Sequence, residues 1–257
     1  MSATISDTVI RSEQQRAALR TLESERLFYV IAGSVMLIAT AFGFRAFLAH
    51  GKGFMGGEIT RQIVPLVVAH GLAMFSWVIL FLVQSILILN RNWRLHMRLG
   101  VGGAVLAGVM VPLGSVAAIL SARNNPELYL PFGGRRFFMA TMLGEMLSFG
   151  ILVAVAIIYR RRAEIHRPMM LLASLMIISG ALGRCPYIGQ YGAMPPMYAL
   201  GPALVLGALF LVLHLGMTRA LNRWYALGYL ATVIASISFI VLGHSAIWNQ
   251  LAGAIVG

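Results

Sequence analysis

The chain has 257 residues, 59% of them hydrophobic and only 11% charged, whereas a soluble domain carries about a quarter charged residues. That composition excludes a soluble enzyme and a disordered chain. The single cysteine, Cys185, excludes an internal disulfide and a multi-cysteine metal site. The net charge of +12 comes from arginines in short turns between apolar runs, a pattern that reports topology and contact with anionic headgroups. A lipid bilayer is the expected partner, and nucleic acid is not.

Residues 1–26 form a polar, cytoplasmic N-terminal tail in which Ser12-Glu13-Gln14-Gln15 fits a capping box and predicts a short surface helix. Residues 27–257 are read as one transmembrane domain. Apolar runs long enough to cross a bilayer predict spans at 27–49, 61–89, 97–121, 137–159, 168–188, 198–218 and 224–247. The fold class is therefore all-α, a polytopic seven-helix bundle. With the N-terminus inside, the cytoplasmic segments hold thirteen arginines: Arg11, Arg16, Arg20, Arg26, Arg91, Arg94, Arg98, Arg160, Arg161, Arg162, Arg167, Arg219 and Arg223. The outer segments hold six basic residues: Lys52, Arg61, Arg123, Arg135, Arg136 and Arg184. The excess places the N-terminus inside and the C-terminus outside an inner membrane of bacterial type.

Small residues recur every four positions at Gly100, Ala104 and Gly108 on the third span and at Gly228, Thr232 and Ser236 on the seventh. That spacing lets helix backbones approach closely in lipid. Pro112 and Pro202 are expected to kink the third and sixth spans. One weak repeat is visible: Trp93-Arg94-Leu95-His96 and Ala163-Glu164-Ile165-His166 each close an inner basic turn and open an apolar helix.

Polar groups inside spans are costly in hydrocarbon and mark candidate sites. Glu145 is the sole acid within a span, with Thr141 and Ser148 on its helix face. His70 shares a face with Trp77 and Gln84. Counted from the span ends, His70 and Glu145 lie roughly 13 Å and 12 Å deep at 1.5 Å per residue. That match predicts a Glu145–His70 pair suited to proton relay or ligand binding, beside the soft side chains Met74 and Met142. The other histidines form two layers, His96, His166 and His214 toward the inner face and His50 and His244 toward the outer. Neutral imidazole is a good metal and heme ligand, so His70, His96, His166, His214 and His244 are candidate ligands.

The segment HGLAMFSWVILFLVQSILILNRNWRLHMRLG from His70 resembles the cytochrome b561-type pattern. In it a histidine in one helix is followed, across a short basic turn, by a second histidine opening the next. Together with HRPMMLLASLMIISGALGR from His166, the segment also resembles uncharacterised bacterial multi-pass proteins with comparable turns. The resemblance implies heme b between histidines of facing helices and electron transfer to a redox partner. The fourth span departs from it, offering Glu145 and no histidine. The competing expectation is a non-redox transport or oxidase-assembly and metal-handling protein with structural histidines, in which the Pro/Gly-rich stretch GRCPYIGQYGAMPPM serves as a lid or a closing loop. A metal-dependent hydrolase is weakly supported, because only Glu164 supplies a carboxylate near the inner histidines.

Overall fold

The structure, a computed structural model, describes residues 2–51, 60–124, 133–185 and 197–256, and is helical with no strand among them. Helix α1 spans Ser2–Gly43 and α2 Arg45–His50. After a 3-10 turn at Arg61–Ile63 come α3 (Val64–Leu89), α4 (Trp93–Asn124), α5 (Arg135–Ile158) and α6 (Ala163–Leu182). The chain closes with α7 (Met197–Thr218), α8 (Arg223–His244) and α9 (Ala246–Val256). Seven helices are long and apolar enough to cross a bilayer: Leu19–Gly43, Arg61–Leu89, Trp93–Asn124, Arg135–Ile158, Ala163–Leu182, Gly201–Thr218 and Arg223–His244. The chain is a multi-pass membrane protein.

Several expected boundaries move. Helix α1 runs unbroken from Ser2, so Ser12 is not an N-cap. The tail is rich in Ala, Leu, Arg, Glu and Gln, good helix formers, and simply extends the first span. Helices α4 and α6 start at Trp93 and Ala163, before the expected 97 and 168, which puts His96 and His166 on helices. The seventh span stops at His244. Ser245 turns extended there and its Oγ accepts from the Trp248 amide at 3.1 Å, capping the separate helix α9. Both α4 and α7 continue through Pro112 and Pro202. Most of the Pro/Gly-rich stretch falls outside the described residues, so the lid reading does too.

Helix α6 is the hub. In its apolar window 72% is buried, against 22–44% in the other six spans, and α1, α5, α7 and α8 pack around it. Close approach explains several glycines. A Cβ on Gly43 would press into the main chain of Ala181, one on Gly144 into the Phe239 ring, and one on Gly228 into Met169. The stripe on α8 is buried as expected, with Thr232 and Ser236 each 4% exposed. The α4 stripe is not. Gly100 and Gly108 face outward, and the buried line is Gly103, Ala107, Met110, Gly114 and Ala117. Small residues on both lines made the register ambiguous.

The short turns between α3 and α4, α5 and α6, and α7 and α8 lie together at what we call the arginine-rich end. There Asn222 caps α8, its Oδ1 accepting from the Trp224 and Tyr225 amides at 3.0 and 3.1 Å. Its Nδ2 donates to the Glu164 carbonyl at 3.0 Å, tying α8 to α6. At the opposite end, α9 is fixed to the start of α5. Trp248 Nε1 donates to the Arg136 carbonyl at 2.8 Å, and Arg136 Nη1 donates to the Asn249 carbonyl at 3.3 Å.

Candidate functional site

The polar face of α3 meets a different helix at each depth. Gln84 Nε2, nearest the arginine-rich end, donates to the His96 carbonyl at 3.2 Å. Two turns away, Trp77 Nε1 donates to Ser174 Oγ of α6 at 3.0 Å. Two turns further, the His70 ring lies against Gly114 of α4 and its Nδ1 is buried without a hydrogen-bond partner.

Glu145 does not turn to His70. It is 5% exposed, and its Oε1 accepts from Ser179 Oγ of α6 at 2.8 Å. The adjacent Met146 lies beside Gly114 on the α4 side, where the His70 ring also sits. Matched depth therefore carried no information on rotation. One residue along a helix turns a side chain by about 100°, and that step separates Glu145 from the His70 side. Thr141 Oγ1 bonds within its own helix, to the Phe138 carbonyl at 2.9 Å.

The structure brings His96 and His166 together. Their ring centroids are 6.5 Å apart and the rings stand at 88°. Each sits in the first turns of its helix, α4 or α6, and each is half-buried. His166 Nδ1 lies 2.9 Å from the Ala156 carbonyl. A carbonyl only accepts, so Nδ1 carries the proton and the neutral ring keeps its lone pair on Nε2. His96 Nδ1 is buried with no partner.

The remaining histidines go elsewhere. His244 is exposed at the end of α8, with its ring centroid 4.5 Å from that of Phe137. His214 is 3% exposed, with ring centroids 5.0 Å from Phe28 and 5.9 Å from Tyr225. Sequence reasoning missed its neighbours on α1. Tyr29 is 5% exposed with its hydroxyl unpartnered, and Glu25 pairs with Arg167 at 2.9 Å, both side chains less than a fifth exposed. Glu25 and Tyr29 are one helical turn apart, a spacing that was legible but looked like part of a surface tail.

Among the described residues no three His, Cys, Asp or Glu side chains converge to hold a metal ion, so a zinc site with three or four protein ligands has no basis there. Two imidazoles of neighbouring helices are the remaining combination that could hold a metal. Metal–imidazole bonds are about 2 Å, so two rings on opposite sides of one metal have centroids roughly 6–6.5 Å apart. His96 and His166 match that separation, and the backbone carbonyl on His166 Nδ1 is the outer contact that orients a ligating imidazole. Cys185, just beyond α6, is buried and donates to the Ala181 carbonyl at 3.6 Å. Burial pushes its thiol up from the ordinary range, which keeps it protonated. Comparison with protein-family models, with curated proteins and with solved structures finds no match to this chain.

Proposed function

We infer that this protein is an electron-transfer component of a bacterial-type inner membrane, in which His96 and His166 hold heme b or a single redox metal. One observation supports the reading: two histidines on different helices, at one end of the bundle, have ring centroids 6.5 Å apart, near enough that both could bind one metal. A heme b bound there supplies one-electron transfer. The chain's own part is to hold both rings. Ala156 fixes the tautomer of His166, and the contact from Gln84 ties α3 to the turn that carries His96. His70, His214 and His244 fall outside this pair.

The test is an absorption spectrum of protein purified from cells supplied with a heme precursor. A Soret band is expected, lost in both His96→Ala and His166→Ala and retained in His244→Ala. A colourless protein, free of stoichiometric iron, copper and zinc, overturns the reading. The alternative is a transport or assembly component with structural histidines. It is favoured by Glu145, a membrane-buried acid that satisfies itself through Ser179 and not through a histidine. In that case the two alanine variants would stay as colourless, and nearly as stable, as the parent.

A further inference from the structure

Buried side-chain atoms without a hydrogen-bond partner gather at the arginine-rich end. They include Arg26 Nε, the Tyr29 hydroxyl, Gln84 Oε1, His96 Nδ1 and both ring nitrogens of His214. An unmet buried group costs about 1–3 kcal/mol, and native proteins leave few of them. Tyr29 and His214 are the most enclosed, at 5% and 3% exposure. Phe28 makes an edge-on contact with each of them, its ring centroid 5.0 Å from both. Tyr225 closes another side 5.9 Å from His214, and its hydroxyl makes only a long 3.5 Å contact to the Gly207 carbonyl.

The charged groups nearest this compartment are Glu25 on α1 and Arg167 on α6, and they neutralise one another. Of the unmet groups, the two most enclosed are a phenol and an imidazole. An imidazole offers one donor and one acceptor, and a phenol offers the same. Balanced donors and acceptors without net charge are the chemistry of water and not of an ion. Buried water makes two to four hydrogen bonds to groups of this kind. Glu25, partly exposed, lies one turn or about 6 Å from Tyr29 along α1, so the ion pair stands between the compartment and the arginine-rich face.

We propose that Tyr29 and His214 bind buried water behind the Glu25–Arg167 ion pair. The pocket stands apart from the heme reading, since water binds there whether or not His96 and His166 hold a metal.

Hydroxyl-radical footprinting of the full-length protein in lipid nanodiscs, read by mass spectrometry, tests this. Radicals formed from bound water label the side chains beside it however deeply they are buried. With intrinsic reactivity divided out, Tyr29 and His214 should label within about threefold of exposed Tyr159 and at least about tenfold faster than dry, fully buried Phe149. His214→Phe should cut Tyr29 labelling several-fold, and the wild-type comparison stands even if that variant folds poorly. Labelling of Tyr29 and His214 at the rate of Phe149 overturns the proposal. So does labelling of one without the other, because the pocket needs both.

Discussion

Glu145 shows how a buried polar side chain is read differently once its partner is known. From sequence its depth was legible and its direction was not, because depth follows from counting residues while direction depends on how the whole helix is rotated. The bond from Ser179 now decides what substitutions do. Glu145→Gln keeps an oxygen that accepts from Ser179 Oγ, and should melt within a few degrees of the parent in detergent. Glu145→Leu removes the acceptor and leaves a fully buried hydroxyl facing leucine. That should cost about 1–3 kcal/mol, and Glu145→Leu/Ser179→Ala should recover most of it. Equal melting of Glu145→Leu and the parent would show that the Ser179 contact contributes nothing. The same limit applied to the histidines. Five were legible as polar rings at span ends or within spans, yet only the fold could bring His96 and His166 together and set His214 against Phe28 and Tyr225.

At the level of helices, the number of spans was legible because a bilayer imposes a length, and a run of about 20 apolar residues has few other uses. Their ends were less so. Trp93 and Ala163 start helices inside stretches that read as basic turns, since an arginine next to the headgroups extends a helix without penalty. Which small residues pack was also hidden, because α4 carries glycine and alanine on more than one line. Gly43 was not singled out at all, although it is where α1 touches the hub. A side chain there meets the Ala181 carbonyl and not a movable side chain. Main chain inside a packed helix cannot retreat as a methionine can, so overpacking at this point should cost about 1–3 kcal/mol or more. Gly43→Ala should therefore lower the melting temperature clearly. Gly102→Ala, at an exposed site with open space around it, should leave it unchanged or raise it. Equal effects of the two would mean that α1 and α6 are not in backbone contact there.

For the whole molecule, the outer surface is apolar through the middle and basic at one end. Ile38, Val101, Val205 and Val212 are each at least 60% exposed, a burial pattern that only hydrocarbon around the bundle makes tolerable. The arginine-rich end joins the turns carrying Arg91, Arg160, Arg161, Arg162 and Arg219 to the α1 segment with Glu23, Glu25 and Arg26. Arg91 pairs with Glu23 at 3.5 Å, Arg167 with Glu25, and the Arg26 guanidinium lies 5.5 Å from the Trp93 ring centroid. If short basic loops stay on the cytoplasmic side, as they do in most inner-membrane proteins, the arginine-rich end is the cytoplasmic one. Arg135 and Arg136 oppose this, but Arg136 is bonded to the α9 backbone, and the basic residues number thirteen at the arginine-rich end against six on the other side. With seven spans the C-terminus must emerge on the other side, and α9 agrees, since it packs on the start of α5 and near the end of α4, away from the arginine-rich turns. A phosphatase reporter active only outside the cytoplasm should be active when fused after Gly257 and inactive when fused in the turn at Arg161. A fluorescent reporter that matures only in the cytoplasm should give the opposite result at both places. If the phosphatase is active at Arg161 and silent at Gly257, the orientation is reversed, and the proposed water pocket would then open to the outer face.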